Sequence, residues 1–552
     1  MGNSIYKVPV AVNEPVSSFA PGSEERTNLK IKLKEMSSKF YDIPIIVAGK
    51  EIRTNNTHNC VMPHNHSHIL GKFHKAGKKE VEIAIQSSLA VRKKWMNMHW
   101  ESRVAIFKKM ATLLKGPYRE TINAATMLGQ SKNAFQAEID SACELIDFFN
   151  FNCEYLQQIY QEQPPYSPEG VWNQVEYRGL EGFVFAVTPF NFTSIAANLP
   201  TAPALMGNTV IWKPASSSVY SGYFLMKLFQ EAGLPDGVIN FLPGSGSEIG
   251  NPVIENEHLA GVHFTGSTSV FQGMWKKIGS NIHNYKTYPR IVGETGGKDF
   301  ILAHPSSEVR SLVTAMIRGA YEYQGQKCSA ASRCYIPKTI WENVKKEFLK
   351  QLSTIKMGDV TDFSNFINAV IDENAFDNIV EYIKYADNAE DAEILHGGSY
   401  DKSVGFFIEP TAIVTENPLF KTMEEEIFGP VLTIFIYDWD VSDELKSWKK
   451  ICKIVDSTSE YALTGAVFSN SREAINEARE SLIHSAGNFY INDKPTGAVV
   501  GQQPFGGSRA SGTNDKAGSA ANLMRWVSQR TVKETFDPPK DYRYPFLGTE
   551  LA

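Results

Sequence analysis

Cys328 has the sequence surroundings that most strongly suggest chemistry. It lies in residues 323–333, between a predicted helix at 308–321 and a predicted strand at 332–336. A sulfur on a tight connection between two rigid elements, next to the cationic Lys327, has the exposure and positive surroundings that favour a thiolate nucleophile. A single cysteine is more often a small buried hydrophobe, so this prediction depends on the residues that accompany it.

Other informative residues follow predicted strands, at 182–187, 209–213 and 238–242. The third strand runs into the glycine-rich loop 243–250, whose backbone N–H groups could approach a pyrophosphate at a helix N-terminus. The loop departs from GxGxxG spacing. It also lacks the acidic residue that follows the dinucleotide-binding motif about 20 positions later and binds the ribose hydroxyls. Lys213 ends a buried strand, where an ammonium is costly unless it meets an anion. We therefore interpret it as a ribose or phosphate ligand, with snorkelling to the surface as the alternative.

Two carboxylates lie in similar settings. Glu294 falls on a glycine-rich turn before a predicted strand at 299–303, where glycines would let it approach another group closely; a simple turn is the alternative. Glu426 and Phe428 precede a predicted strand at 431–436, and alone they indicate little.

The elements around these residues predict the fold class. Short apolar strands alternate with amphipathic helices from residue 182 onward, with helices at 221–232 and 267–278 and further strand-like runs at 290–292 and 300–302. This alternation predicts a parallel, doubly wound α/β sheet with ligands at the carboxyl ends of its strands. Apolar residues at helical spacing between 78 and 160 predict a helical layer, and residues 1–63 predict an arm with a charged helix at 28–40.

Composition excludes several function classes. A chain of 552 residues predicts two or three domains. A net charge of -6 with a pI near 6.1 lacks the excess of positive charge that is typical of nucleic-acid-binding proteins, so we expect no nucleic-acid partner. Six cysteines without CxxC spacing argue against a disulfide framework or a zinc ribbon. No apolar run approaches the roughly 18 residues of a membrane span, so we expect no membrane partner. The N-terminus shows no readable targeting signal, and Tyr6 stands where a myristoylation site needs Ser or Thr.

A histidine-rich segment invites a metal interpretation. Its members are His58, Cys60, His64, His66, His68 and His74. Imidazole and thiolate are zinc ligands, but turn residues interrupt the segment and no regular ligand spacing emerges. We therefore predict a polar surface loop and no metal site.

In their order along the chain, these residues resemble the aldehyde dehydrogenase superfamily, from about Gly49 to Thr535. The set that carries the resemblance is Asn191, Lys213, Gly244, Gly246, Gly250, residues 264–267, Glu294, Cys328, Glu426 and Phe428. A closer match, to the branch formed by the 1-pyrroline-5-carboxylate dehydrogenases, is carried by residues 136–140, 177–183, 325–330, 488–494, 496–498, 502–507 and 510–514.

The resemblance implies an aldehyde dehydrogenase fold with a Rossmann-like doubly wound cofactor domain, an α/β catalytic domain and a small β oligomerisation arm. The implied boundaries are 1–161 and 181–296 for the NAD-binding domain with its N-terminal arm, 297–515 for the catalytic domain, and 162–180 and 516–552 for the oligomerisation arm and C-terminal tail. The arm would be exchanged between the protomers of a homodimer through runs near 163–179 and 529–544.

The implied activity is NAD-dependent oxidation of L-glutamate γ-semialdehyde to L-glutamate in proline catabolism. Cys328 would attack the aldehyde, Asn191 and the Cys328 N–H would hold the oxyanion, and Glu294 would activate water to hydrolyse the thioester. The family places the cofactor against Lys213, Ser216, Gly246, Gly250, Ser267, Glu426 and Phe428. Many relatives carry an acid where Ser216 stands, so NAD is expected while exclusion of a 2′-phosphate stays open.

The family's substrate contacts map onto six residues. They are the Ser329 hydroxyl and the backbone amides of Gly497 and Ala498 for the α-carboxylate, Phe192 and Phe505 around the aliphatic chain, and Glu138 at the substrate end of the tunnel. Another semialdehyde is the alternative substrate, and a non-enzymatic binding protein is the alternative function, although Cys328 and Glu294 are both retained. The resemblance predicts the mitochondrial matrix as location, with the cytosol as the alternative.

Overall fold

The computed structural model describes residues 4–548. The extreme ends of the predicted N-terminal arm and C-terminal tail, residues 1–3 and 549–552, lie outside the described residues. The strands are β1 (Tyr41–Ile43), β2 (Ile45–Val47), β3 (Lys50–Ile52), β4 (Thr57–Met62), β5 (Asn65–His74), β6 (Val171–Gly179), β7 (Phe183–Val187), β8 (Thr209–Lys213), β9 (Ile239–Phe241), β10 (Leu259–Thr265), β11 (Arg290–Glu294), β12 (Asp299–Ala303), β13 (Ala331–Pro337), β14 (Ala392–His396), β15 (Tyr400–Asp401), β16 (Phe407–Ile408), β17 (Thr411–Thr415), β18 (Val431–Tyr437), β19 (Tyr461–Ala462), β20 (Thr464–Phe468), β21 (Asn488–Ile491), β22 (Ser508–Arg509) and β23 (Val527–Thr535).

The helices enclose these strands. They are α1 (Glu24–Ser37), α2 (Lys78–Met96), α3 (Trp100–Lys115), α4 (Arg119–Gln130), α5 (Ala134–Ala137), α6 (Leu145–Gln161), α7 (Thr193–Leu205), α8 (Val219–Ala232), α9 (Gly246–Glu255), α10 (Thr268–Ser280), α11 (Val309–Tyr321), α12 (Lys338–Leu352), α13 (Glu373–Asp387), α14 (Lys421–Glu424), α15 (Glu444–Ser457), α16 (Arg472–Ser481) and α17 (Ala520–Met524). A π-helical segment, Glu138–Glu144, joins α5 to α6.

The first seven-stranded sheet has the order β11-β10-β7-β8-β9-β2-β3. Its strands β7 to β11 are parallel, while β2 and β3 add an antiparallel edge. Counted along the chain, the parallel part runs 3-2-1-4-5 from β9 to β11, which is the order of dinucleotide-binding sheets. The strand order reverses between β7 and β10, and ligands of such sheets bind beyond the carboxyl ends at this point.

The second seven-stranded sheet has the order β14-β17-β18-β13-β12-β20-β21. All its pairs are parallel except that of β14 with β17. Separate buried hydrophobic clusters cover its two faces, through α13, α15 and α16 on one side and α11 and α12 on the other. Cys328 lies between α11 and β13, next to the centre of this sheet.

The remaining strands build smaller features. β6 and β23 pair antiparallel over nine residues each, and most of their side chains are exposed or half-buried. β4 and β5 form an antiparallel hairpin that also pairs with β1. Within residues 4–548, no helix has both the length and the apolar composition needed to cross a membrane.

The α/β fold class is confirmed, and most predicted elements lie within two residues of the observed ones. The predicted helix 308–321 begins one residue later because Glu308 is its N-cap and accepts hydrogen bonds from two backbone N–H groups. Strand β10 was not predicted as a strand. The prediction of a histidine-rich surface loop is wrong, since the segment forms the β4–β5 hairpin. Among the described residues no group of three or more His, Cys, Asp or Glu side chains is arranged to hold a metal ion.

Candidate active site

A cavity of about 1240 Å³ opens where the carboxyl ends of β7, β8, β10 and β11 in the first sheet face the segments that lead into β12, β13 and β18 of the second sheet. Single small-molecule pockets measure roughly 300–1,000 Å³, so this cavity has room for two ligands at once. Its lining includes all three residues expected to be catalytic, Cys328, Asn191 and Glu294. Of the other predicted site residues it includes Lys213, Ser267, Glu426, Phe428, Phe192, Ser329, Gly497, Ala498 and Phe505.

The surroundings of Cys328 are acidic, not positive. Burial raises the pKa of its thiol well above the ordinary value, and the neighbouring carboxyl groups of Asp299, Glu426 and Glu294 raise it further. Lys327 does not offset them, because its ammonium donates to Glu322 at 3.0 Å within the protein. The predicted positive environment is therefore wrong, and without ligands Cys328 is held as a neutral thiol.

The turn that presents Cys328 is conformationally strained. Tyr323 and Gln324 have φ values of 52° and 56°, in the left-handed region that non-glycine residues rarely adopt. The Gln324 amide holds the turn by donating to two buried carbonyls, those of Ser131 at 2.9 Å and Ala369 at 2.7 Å. Strain of this kind persists only where surrounding contacts enforce it and is concentrated at functional sites. The turn therefore presents the sulfur in a fixed position.

Asn191 and Glu294 approach the nucleophile from the first sheet. Asn191 follows β7, and its amide Nδ2 donates to the carbonyl of Gln326 at 3.1 Å, which fixes the amide beside the cysteine turn. Glu294 is the last residue of β11, and its Oε2 accepts from the Gly507 N–H at 3.3 Å. Burial raises the pKa of Glu294 well above the ordinary carboxyl value, which makes it a stronger base than a solvated glutamate.

Four predicted cofactor residues line the cavity. Lys213 ends β8, and burial alone lowers its pKa to about 8; no carboxylate of the described residues forms an ion pair with it. Glu426 accepts from the Gly297 N–H at 2.9 Å, and burial raises its pKa to about 7. Phe428 has a φ of 58° and contacts Phe190 edge to face. Ser267 is the fourth and occupies the N-cap position of α10, without a side-chain hydrogen bond to the helix.

The remaining cofactor candidates lie outside the enclosed cavity. Ser216 is exposed beside the glycine loop, with its hydroxyl 3.5 Å from the Gly244 carbonyl, and Gly246 is exposed at the N-terminus of α9. Gly250 is buried within α9, where an added Cβ would lie 3.9 Å from Phe185 of β7. Its direct cofactor contact is therefore not seen; its position fits close packing of helix on sheet.

The predicted carboxylate anchor forms one corner of the cavity. The Ser329 hydroxyl lies 2.8 Å from the Thr496 hydroxyl, and Gly497 follows with a φ of 95°. This backbone conformation favours glycine, and both Gly497 and Ala498 line the cavity. Phe192 and Phe505 supply the aromatic walls of the same cavity.

Glu138 does not line the cavity, contrary to the prediction. Its carboxylate is fully buried, accepts from the Asn123 amide at 2.7 Å and the Ser17 N–H at 3.0 Å, and forms an ion pair with Arg119. Although burial opposes the shift, the Arg119 guanidinium lowers the pKa of Glu138. These contacts occupy the carboxylate, so Glu138 is a structural residue of the helical layer.

Glu144, which sequence reasoning missed, does line the cavity. Burial raises its pKa to about 8, and its carboxylate accepts from the Ser194 hydroxyl at 2.7 Å. The π-helical segment Glu138–Glu144 has a longer turn than an α-helix, so a helical wheel drawn with the α-helical period assigns the wrong face. Four carboxylates within residues 138–147 were the only sequence signal that could have pointed here.

Three comparisons place these observations beside known proteins. Residues 51–532 match the model of the aldehyde dehydrogenase family. The chain is 51% identical over 542 residues to the mitochondrial delta-1-pyrroline-5-carboxylate dehydrogenase of Dictyostelium discoideum, covering 98% of this chain and 96% of that protein. It is 50% identical over 542 residues to the delta-1-pyrroline-5-carboxylate dehydrogenase of Agaricus bisporus, covering 98% of each. The crystal structure of the Mycobacterium tuberculosis delta-pyrroline-5-carboxylate dehydrogenase bound with NAD matches with a TM-score of 0.95 at 46% identity, covering 99% of this chain and 100% of that one.

Proposed function

Since the chain belongs to the aldehyde dehydrogenase family, we propose that it oxidises L-glutamate γ-semialdehyde to L-glutamate in proline catabolism, with NAD as the cofactor. The observation that carries this proposal is a single cavity that holds Cys328, Asn191 and Glu294 together with the Gly497 turn. The first three residues supply aldehyde oxidation, and the turn supplies a place for a carboxylate. The printed names of the relatives support the same substrate.

The residues divide the chemistry as follows. The Cys328 thiol gives its proton to water, and its sulfur bonds to the aldehyde carbon. The carbonyl π bond breaks and its electron pair moves to the oxygen, whose negative charge the Asn191 amide and the Cys328 N–H stabilise. Lys213 and Glu426 would hold NAD, which would supply an acceptor for the hydride on that carbon, and loss of the hydride would leave a thioester on Cys328. Glu294 then takes a proton from water, the resulting hydroxide attacks the thioester, and the carbon–sulfur bond breaks to release the carboxylic acid.

The charge and hydrogen-bonding capacity of the proposed cofactor residues suit the ribose and phosphate groups of a dinucleotide. Lys213 is a half-buried cation without an ion-paired carboxylate among the described residues, as a ligand for ribose hydroxyls or phosphate should be. The Glu426 carboxylate has further acceptor capacity for ribose hydroxyls beyond its bond to Gly297. Ser216 and Gly246 lie at the surface, where the adenosine end would leave the enclosed cavity. The strand order 3-2-1-4-5 supports the same assignment.

The substrate is an amino acid with an aldehyde at its far end, and the cavity offers a counterpart to each of its groups. The Gly497 and Ala498 amides and the Ser329 hydroxyl receive the α-carboxylate, and Phe192 and Phe505 enclose the carbon chain. Glu144 belongs to the same lining and would receive the α-ammonium, whose positive charge lowers the raised pKa of the Glu144 carboxyl; we assign this role to it in place of Glu138. Another semialdehyde with a distal carboxylate would leave Glu144 without a cationic partner.

We also propose the division of the chain into an NAD-binding domain (1–161 and 181–296), a catalytic domain (297–515) and an oligomerisation arm with a tail (162–180 and 516–552). The two large sheets fall into the first two units, and the exposed β6–β23 ribbon falls into the third. The unpaired edges of that ribbon suit a homodimer. Relatives named as mitochondrial support the mitochondrial matrix as location, and the cytosol is the alternative.

The decisive experiment measures the initial rate of NADH formation with L-glutamate γ-semialdehyde, succinic semialdehyde and propanal. We expect the amino-acid aldehyde to be preferred strongly and Cys328→Ala to abolish the reaction. Cys452→Ala is the matched control, since Cys452 is buried in the hydrophobic core of the second sheet and should leave the rate unchanged. Equal rates with all three aldehydes would remove the substrate assignment, and no activity with any of them would remove the enzyme assignment.

A further inference from the structure

Lys132 is a fully buried cation that the reaction described above does not use. Its relative exposure is 0%, and its Nζ lies 2.6 Å from Oδ2 of Asp140. The same ammonium lies 4.4 Å from the ring centroid of Phe192 and 4.4 Å from that of Tyr323. Burying an ammonium costs free energy even when one carboxylate pairs with it. The placement of the Lys132 ammonium between two aromatic rings therefore suggests a role beyond stability.

The first of these rings is a wall of the substrate cavity. Phe192 is the N-cap of α7, and Asp140 accepts from the next two backbone N–H groups, those of Thr193 at 3.1 Å and Ser194 at 3.3 Å. Asp140 therefore fixes the backbone directly after Phe192, while Lys132 contacts the ring itself. Together the ion pair sets both the position and the orientation of this wall.

The second ring belongs to the strained turn that leads to Cys328. Tyr323 has a φ of 52°, its side chain is 1% exposed, and its hydroxyl has no hydrogen-bond partner among the described residues. Contact with the Lys132 ammonium is thus the main polar interaction of this side chain. One cation consequently touches the substrate wall on one side and the nucleophile turn on the other.

We propose that Lys132 is a positioning residue for the reaction. Its ammonium fixes the position of the Phe192 ring relative to the turn that carries Cys328. This inference rests on the proposed function, because it assumes that Phe192 contacts the carbon chain of the substrate. Lys132 itself does not belong to the cavity lining, whereas its partner Asp140 does. If the ion pair served stability alone, the two aromatic contacts would have no bearing on substrate binding.

The test compares Lys132→Met with the double variant Lys132→Met/Asp140→Asn. The second variant is needed because the first leaves Asp140 buried without its counter-ion and is destabilised for that reason. We expect both to lower kcat/KM for L-glutamate γ-semialdehyde roughly 10- to 100-fold, the range that misplacement by up to about 1 Å produces at an active site. The affinity for the product L-glutamate, measured by calorimetry, should fall with it, while the affinity for NAD should stay within about twofold.

Lys227→Met is the matched control. Lys227 also pairs with a carboxylate, Glu51 at 2.8 Å, and also lies over an aromatic ring, Tyr223 at 5.4 Å, but it is outside the cavity lining. We expect this variant to keep both kcat/KM and L-glutamate affinity.

A double-mutant cycle with Phe192→Leu separates positioning from stability. If Lys132 acts through the ring, adding Lys132→Met to Phe192→Leu should cost much less than it costs in the native chain. Fully additive losses would overturn the proposal, and so would Lys132→Met/Asp140→Asn with native kcat/KM and native L-glutamate affinity but a lower melting temperature. If the native chain oxidised propanal and not L-glutamate γ-semialdehyde, the proposed function would fail, and the same cycle run with propanal would still test Lys132.

Discussion

Gly497→Ala isolates the carboxylate anchor from the rest of the site. Gly497 has a φ of 95°, and the nearest atom to an added Cβ is the flexible Lys494 ammonium at 3.0 Å. Space is therefore not the obstacle. The obstacle is the left-handed backbone conformation, which raises the free energy of an L-residue by roughly 1–2 kcal/mol. The turn can relieve this strain by rotating away from φ 95°, which moves the Gly497 and Ala498 N–H groups out of line with the anion.

That rotation removes at least one hydrogen bond to the substrate carboxylate and so lowers kcat/KM. A hydrogen bond to a charged group contributes about 1.5–3 kcal/mol, so losing one should lower kcat/KM for L-glutamate γ-semialdehyde roughly 10- to 100-fold. Propanal carries no carboxylate, and its kcat/KM should stay within about twofold of the native value. The assay is the initial rate of NADH formation with each aldehyde, for the native chain and the variant.

Gly233→Ala is the control for backbone strain. Gly233 ends α8 with a φ of 91°, and an added Cβ there meets nothing within 4 Å. It should therefore lower stability about as much as Gly497→Ala while leaving both aldehydes unaffected. The assignment of the anchor would be refuted if Gly497→Ala slowed both aldehydes equally, or if it behaved like Gly233→Ala.

Three further outcomes are expected. Alkylation of Cys328 by iodoacetamide without cofactor should keep accelerating beyond pH 9.0, the ordinary thiol value, because its pKa is raised and the reactive thiolate forms only as pH approaches it; a plateau near neutrality would contradict this. Gly296→Ala should raise the KM for NAD about tenfold with little change in melting temperature, since the new Cβ would overlap the Glu426 carboxylate; an unchanged KM would remove Glu426 from the cofactor site. Arg119→Met should destabilise the protein by about 3 kcal/mol in urea unfolding, because Glu138 is left buried and unpaired, and Glu138→Gln should recover part of it; equal unfolding midpoints for the native chain and Arg119→Met would show that the pair is dispensable.

Features that depend on short stretches of sequence were predicted well. The apolar runs of β7 and β8 are buried along most of their length, so their bounds follow from composition, and Lys213 falls at the carboxyl end where it was expected. The cysteine turn was also located correctly, because an amphipathic helix and a β-rich run bracket it. The strand β10 was missed because Gly261 and His263 interrupt its apolar pattern.

Features that depend on distant partners were not predictable in the same way. Lys327 is adjacent to Cys328 in sequence, yet its side chain turns to Glu322, which also binds Lys494 from a distant segment. The histidine-rich hairpin is held by pairing of β4 with β5 and by its contact with β1, and none of these partners is evident from local composition. The π-helical segment changed which carboxylate faces the cavity, because helical periodicity assumes an uninterrupted α-helix.

The ribbon of β6 and β23 sets a time scale for biosynthesis. Its strands pair across about 350 residues of chain, as the contact of Arg178 with Ser528 illustrates. At about 5–20 residues per second, a ribosome needs roughly 20–70 s to make the segment that separates them. During that interval β6 has emerged while its partner strand does not yet exist. The nascent chain therefore carries an open strand edge until β23 has been made, which makes the synthesis of β23 the earliest moment at which this edge can be covered.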